Sequence, residues 1–335
     1  MTAAALVAGN VVLMKPASPA VLVACRLQSV LREAGFPPGV CQLLPGNGET
    51  LGRHLVAHPK VHLAAFTGSR SVGLEILRTA HEPVAGQTHV KQVVCEMGGK
   101  NAVIVDDDAD LDDAVQQILF SAFGYQGQKC SAASRVIVVA KVHDRVAERL
   151  AAALDGHAYG PPEHPAFRFG PLISRSAQQK VRDYVEIGQR EGRLYYLGRV
   201  PDEGYYHPPA IFTGIESRHR LAREEIFGPV LAMLRVPDFA SAVSLALDSD
   251  YALTGGVFSR RPAHLALARE RFRVGNLYLN RGITGARVGV QPFGGTRLSG
   301  TGVQAGGPDY LKQFLWTRVV SENTLRHGFV PPVSN

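Results

Sequence analysis

The stretch VHLAAFTGSRSVGLEILRTA, residues 61–80, joins an apolar run, a glycine-containing turn and a segment with apolar residues at helical spacing. It predicts a strand over Val61–Phe66 and a helix over Ser69–Ala80. The same order repeats upstream. Val11–Lys15 reads as a strand, Pro19–Ala34 as a helix that starts on proline and stops at Gly35, Val40–Leu44 as a strand and Thr50–Ala57 as a short helix. Val90–Cys95 follows as a fourth strand. Strand–helix alternation of this kind implies a parallel sheet covered on both faces. The fold class is therefore α/β, and ligands are expected at the carboxyl ends of the strands.

The pattern resumes further along the chain. Ala102–Val105, Arg135–Val139, Arg193–Leu197, Ala210–Thr213, Val230–Val236, Gly255–Ser259 and Asn276–Asn280 read as strands. Leu111–Gly124, His143–Leu154, Ser174–Glu191 and segments near 238–248 and 262–273 read as helices. This predicts a second α/β domain with the joint near Glu96, giving domains over 1–95 and 96–305 and a tail over 306–335. From Arg318 the tail alternates apolar and polar residues like an edge strand. No internal repeat and no low-complexity segment is visible.

With 335 residues, 45% apolar and 19% charged, the chain can bury a large core without a metal or disulfide framework. Its four cysteines form no CxxC, which argues against zinc and points to a reducing, cytoplasmic setting. The net charge of +7 is spread along the chain, so it fits attraction of acidic small molecules better than nucleic acid binding. Met1–Ala8 is apolar but lacks a basic leader and is too short to cross a bilayer; no membrane segment is expected. A strand follows at once, so the chain reads as beginning inside a fold.

Chemistry concentrates in a few places. Cys130 follows glycines and glutamines, beside Lys129, in a loop, where a cysteine can be an exposed thiolate and a nucleophile. Cys25, Cys41 and Cys95 lie in apolar runs and read as core residues. Glu96, ahead of Gly98-Gly99, can swing toward a substrate and activate water. Gly68, Ser69 and Gly73, between a strand and a helix, can cradle a phosphate, although this is not a GxGxxG fingerprint. Lys15 ends the first strand and points at the ligand crevice. Glu225 beside Phe227 can grip a ribose and bracket a flat heterocycle, and Pro292-Phe293-Gly294-Gly295 is another aromatic–glycine loop. Taken singly, each has a structural alternative: a tight turn, a snorkelling surface lysine, a helix cap. Their joint occurrence, in this order, is specific.

Those motifs, namely Lys15-Pro16-Ala17, FTGS at 66–69 with Gly73, EMGGKN at 96–101, GQKCSAAS at 127–134, EEIFGPV at 224–230 and QPFGG at 291–295, resemble the aldehyde dehydrogenase superfamily. The runs ITGARVG at 283–289 and LSGTGVQAGGPDYL at 298–311 resemble its L-glutamate γ-semialdehyde (1-pyrroline-5-carboxylate) dehydrogenase branch, including the corresponding part of bifunctional proline-utilisation enzymes. The resemblance implies a Rossmann-type NAD-binding domain and an α/β catalytic domain. It implies NAD-dependent oxidation of L-glutamate γ-semialdehyde to glutamate, in proline catabolism, through a thioester on Cys130 that Glu96 helps hydrolyse. Lys15, Gly68, Ser69, Gly73, Glu225 and Phe227 would hold the cofactor. Ser131 and the backbone of Gly285 and Ala286 would hold the substrate carboxylate, with Phe293 on its stem. Ser18, where many relatives carry an acid, leaves NADP open.

The resemblance also implies an N-terminal portion that these residues do not include, carrying a first dinucleotide-fold strand, part of an oligomerisation flap and an oxyanion-binding asparagine that Asn10 cannot replace. The dinucleotide domain is then expected to be incomplete, and a homo-oligomer paired through the tail at 318–330 to be weakened. Two other readings stay open: a truncated nucleotide-binding module without turnover, and a dehydrogenase for another aldehyde such as succinate semialdehyde.

Overall fold

The computed structural model describes residues 1–324 and residue 328. Thirteen strands appear in chain order: β1 Val12–Met14, β2 Cys41–Leu43, β3 Leu63–Thr67, β4 Gln92–Glu96, β5 Asn101–Val105, β6 Ala133–Val139, β7 Arg193–Leu197, β8 Ala210–Thr213, β9 Val230–Val236, β10 Tyr251–Ala252, β11 Thr254–Phe258, β12 Asn276–Leu279 and β13 Thr296–Arg297.

Seven of them form one sheet in the order β12-β11-β5-β6-β9-β8-β7, parallel except for β7, which runs antiparallel to β8 at the edge. Its strands are buried on both faces, and their alternation sorts the core into two layers. Val103, Val105, Val136, Val138 and Met233 face the helices Leu111–Phe123 and His143–Asp155. Ala102, Ile104, Ile137, Ala232 and Leu234 face the helices Arg175–Glu191, Phe239–Leu247 and Pro262–Arg271.

The first part of the chain departs from the single parallel sheet expected there. β1 pairs with β2 and β3 with β4, each parallel, as two separate ribbons. Strand–helix alternation identifies strands but not their neighbours. The helix Val21–Glu33 buries only Ala24, and Leu22 and Val23 are 81% and 73% exposed. Cys25 is accordingly exposed, which corrects its reading as core; Cys41 and Cys95 are buried.

β4 ends at Glu96 and β5 begins at Asn101, so Met97–Lys100 is the hinge between the ribbons and the large sheet. A short antiparallel pair, β10 with β13, closes the other side and was not visible in the sequence. Residues 315–324 carry no helix or strand in the single chain; the rest of the tail expected to pair as an edge strand lies outside the described residues, apart from Gly328. Among the described residues no helix is long and apolar enough to cross a membrane.

Candidate active site

The hinge brings opposite strand ends together. Gly68 and Ser69 follow the carboxyl end of β3, and Glu96 is the carboxyl end of β4. From the large sheet come amino ends instead: Cys130 and Ser131 precede β6, Glu225 and Phe227 precede β9, and Thr254 opens β11. The expectation that ligands meet carboxyl ends holds for the ribbons alone, because the large sheet is turned the other way at the joint.

The turn that carries Cys130 is held in left-handed backbone. Tyr125, Gln126 and Gly127 have φ of 57°, 56° and 67°. A Cβ at Gly127 would lie 2.4 Å from the carbonyl oxygen of Gly228, so no larger residue fits there. Facing it, Phe227 also has positive φ, 61°. Such backbone costs on the order of 1–3 kcal/mol per residue and persists only where its surroundings impose it. Asn101 imposes part of it: its amide nitrogen donates to the carbonyls of Cys130 at 2.7 Å and Ala132 at 2.8 Å, and its oxygen accepts from the Thr254 N–H at 3.0 Å.

Cys130 is half-buried. Burial raises its thiol above the ordinary range, and the carboxylates of Glu225 and Glu96 add to that. The N–H groups of Ser131 and of Cys130 itself pull the other way without winning. Burial and the two carboxylates thus work against the exposed thiolate expected from the sequence. Flanking Lys129 does not change this: it is exposed and sits over the Tyr125 ring.

Glu96 is 9% exposed, and its carboxyl is pushed up to about 7 by burial, against a single opposing hydrogen bond from the Gly295 N–H to Oε2 at 3.3 Å. Oε1 has no partner. Glu225 is tucked under the hinge: Oε1 accepts from the Gly99 N–H at 3.0 Å, and a Cβ at Gly98 would overlap the carboxyl at 2.0 Å. Burial raises this carboxyl too, while the Gly99 N–H, Lys180, Lys100 and Arg70 oppose the rise. Gly99, Lys129, Glu225 and Phe227 line one small cavity, with the Phe227 ring 40% exposed.

The remaining expected residues are distributed as follows. Lys15 lies at the end of β1 with Nζ donating to the Pro16 carbonyl at 2.9 Å. Ser69 caps the helix Arg70–His81, accepting from the Val72 N–H at 3.4 Å. Gly73 is buried in the first turn of that helix, and a Cβ there would meet the Met97 sulfur at 2.5 Å, so its smallness permits close packing against the hinge. Ser131 is buried. Gly285, at φ 83°, and Ala286 sit in a loop anchored on the helix Leu111–Phe123 by the Ile283 N–H to Ser121 Oγ and the Gly282 N–H to Gln117 Oε1. Neither the Gly285 nor the Ala286 N–H has a partner among the described residues. Phe293 bridges Ala305. The Asn10 amide is engaged by the carbonyls of Ala5 and Phe314.

Sequence reading assigned no role to several residues that build this site. Lys100 is fully buried, its Nζ has no hydrogen-bond partner among the described residues, and burial lowers it to about 7. Arg135, buried in β6, donates to the carbonyl of Lys100 at 3.0 Å and that of Ala246 at 2.9 Å, tying the hinge to the sheet. The available signal was a lone charge inside an apolar strand, ASRVIVV.

Residues 1–320 match the model of the aldehyde dehydrogenase family. The 1-pyrroline-5-carboxylate dehydrogenase of Bacillus licheniformis is 46% identical over 322 residues, which cover 96% of this chain and 62% of that relative. The enzyme of the same name from Bacillus subtilis is 47% identical over 95% of this chain and 62% of its own length. The chain thus spans about three fifths of these relatives. Among solved structures, proline utilization A from Bdellovibrio bacteriovorus superposes with a TM-score of 0.96 at 48% identity, over 99% of this chain and 34% of that one. A Thermus 1-pyrroline-5-carboxylate dehydrogenase with bound NAD gives 0.89 at 49% identity, over 91% and 59%.

Proposed function

The chain belongs to the aldehyde dehydrogenase family, and from that premise we propose that it oxidises L-glutamate γ-semialdehyde to glutamate with NAD. The observation that carries the reading is that a half-buried thiol, Cys130, and a buried carboxyl, Glu96, flank the same hinge, where a Cβ at Gly99 would lie 3.0 Å from the Cys130 carbonyl oxygen and the charge of Glu96 is among the causes that raise the thiol.

The Cys130 proton goes to solvent, and protonation of Glu96, about half complete near neutrality, lifts one of the carboxylate charges that disfavour the thiolate. The thiolate attacks the aldehyde carbon to give a thiohemiacetal, with the Cys130 N–H near the developing oxyanion. A nicotinamide cofactor, when bound, supplies the hydride acceptor. Loss of hydride leaves a thioester on Cys130. Glu96, half ionised near neutrality, then takes a proton from water as the oxygen bonds to the carbonyl carbon, the C–S bond breaks and sulfur departs as thiolate.

Glu225 and Phe227 would hold the nicotinamide riboside end, and Gly68 and Ser69 the pyrophosphate at a helix start; Lys15 would take the adenosine ribose. The residues fit such a group: the hinge glycines carry no side chain beside Glu225, and the Phe227 ring is open to one side. The two unpartnered N–H groups of Gly285 and Ala286, with the Ser131 hydroxyl, fit a substrate carboxylate, which needs donors when it leaves water. Phe293 would pack on the aliphatic stem. A homo-oligomer is part of the proposal, supported by Val319 and Val320, which are 82% and 73% exposed in the tail.

The test is NADH formation from the semialdehyde by the chain and by Cys130→Ala. Turnover only with Cys130 supports the reading, and equal rates would refute it. Faster turnover of succinate semialdehyde would reassign the substrate.

A further inference from the structure

One peptide bond, between Gly294 and Gly295, touches Glu96 directly. Its N–H, on Gly295, donates to Glu96 Oε2 at 3.3 Å. Its carbonyl, on Gly294, points the opposite way, as in any trans peptide, and meets the backbone of Gly275: a Cβ there would lie 1.8 Å from that oxygen. Gly294 and Gly295 are both buried. The peptide is therefore held edge-on between the carboxyl and the residue that precedes β12. Two glycines in succession carry no side chain to fix its orientation, so its neighbours must do so.

Asn276, the first residue of β12, grips the same segment. Its amide nitrogen donates to the Pro292 carbonyl at 2.7 Å, and its oxygen accepts from the Gly294 N–H at 3.4 Å. One side chain thus holds both peptide groups of Phe293 and ends one bond short of the peptide that faces Glu96. The platform under it is tied down: the Gly275 N–H donates to the Ala252 carbonyl at 3.1 Å, the Asn276 N–H to the Leu253 carbonyl at 2.9 Å, and β12 pairs with β11 in the large sheet. On the far edge, Phe293 and Ala305 exchange backbone hydrogen bonds of 2.9 and 2.7 Å. Burial and the Gly295 N–H set the ionisation of Glu96. The titratable groups that its charge reaches are Cys95 on its own strand, Cys130 on the opposing turn and Tyr310, and none of them hydrogen-bonds to Asn276.

We infer that Asn276 is a positioning residue for Glu96: its amide, with Gly275 behind the Gly294 carbonyl, keeps the Gly295 N–H aimed at the carboxyl. This rests on the reading of Glu96 as the base in thioester hydrolysis. The Gly295 N–H favours the ionised carboxyl and fixes which of its oxygens is free to take a proton from water. The competing role is structural alone, closing the 292–294 segment onto β12. In that case loss of the amide would lower stability and slow every chemical step alike.

Asn276→Leu is close in size and removes both hydrogen bonds; Asn276→Ser, too short to span them, is the second variant should the first fail to fold. p-Nitrophenyl acetate passes its acetyl group to the Cys130 sulfur and releases p-nitrophenolate, with no need of NAD or the semialdehyde. Peptide mass then follows both the acetylation of Cys130 and the hydrolysis of the acetyl thioester. Acetylation should stay within about twofold of the wild type, since attack needs only the thiolate. Hydrolysis should slow about tenfold. The pH at which it reaches half its maximum should move up by about half a unit, because a weakened hydrogen bond to the carboxylate disfavours its ionised form. Unchanged hydrolysis in folded variants, or both steps slowed alike, overturns the inference even if the chain makes NADH. Hydrolysis that Glu96→Gln leaves untouched refutes the base reading and the inference with it. Selective slowing in the Asn276 variants, without NADH from the wild-type chain, sustains the inference and refutes the dehydrogenase reading.

Discussion

The Gly295 backbone N–H donates to Oε2 of Glu96 at 3.3 Å, and among the described residues it is the one hydrogen bond this buried carboxyl receives. The Gly294–Gly300 segment wraps the carboxyl closely enough that a side chain at Gly294 or Gly300 would press on it. The site thus keeps a weakly solvated base close to neutrality, where it can both accept and release a proton.

Stability should register that cost. The folded pKa of Glu96, about 7, lies above its ordinary value of 4.5. The native state therefore binds the extra proton between these values. The contribution of this group is full below the lower value, falls as pH rises through the window and is flat beyond it. Its full span is about 3 kcal/mol. Glu96→Gln should flatten that slope and be about 1–3 kcal/mol more stable than the wild type in mildly alkaline urea titrations. The same variant should lose about 10²–10⁴-fold in steady-state turnover.

Lys100 gives the opposite slope. Its side chain is fully buried with no partner for Nζ among the described residues, and its pKa falls from 10.5 to about 7. The native state binds fewer protons than the unfolded chain in that window, so stability from this group rises with pH across it. Lys100→Met, similar in length and uncharged, should abolish the rise and gain about 1–3 kcal/mol at pH 7 or below. Denaturant midpoints at mildly acid and alkaline pH measure this.

Gly98→Ala tests how tightly the hinge grips Glu225. The added methyl would occupy the space of the carboxyl, 2.0 Å from Oε2. The carboxyl must move or the hinge must open, at about 1–3 kcal/mol. If Glu225 holds the nicotinamide ribose, calorimetry should show NAD affinity falling at least about tenfold.

Glu225→Gln removes one of two carboxylates that raise the Cys130 thiol while leaving an acceptor for the Gly99 N–H. Iodoacetamide should label Cys130 about 3–10-fold faster in this variant near neutral pH. Equal rates would show that Glu225 does not govern the thiol.

Much of the fold was legible in the chain. Segments such as AVIV at 102–105 and VLAML at 230–234 are apolar throughout, which marks a strand buried on both faces. Two features were not. Which strands pair is set by contacts distant in sequence, so the separation of β1–β2 from β3–β4 could not be read. The face that a helix presents depends on what lies opposite, and Val21–Glu33 has the spacing of a packed helix while leaving Leu22 and Val23 exposed. At the site, Cys130 and Glu96 stood out through their glycine neighbours and Glu225 through the aromatic Phe227 beside it. The resting thiol did not, because its state is decided by burial and by two carboxylates from distant segments. Asn101, at the end of EMGGKN, and Arg135, the lone charge in ASRVIVV, bond to backbone groups of distant segments, and those partners could not be read from the chain.

The most direct measurement is the mass of the intact Glu96→Gln protein after mixing with NAD and L-glutamate γ-semialdehyde. With hydrolysis slowed, the account predicts one glutamyl group per chain, located on the peptide containing Cys130 and accompanied by one equivalent of NADH. NADH formed in that amount with Cys130 unmodified would contradict it.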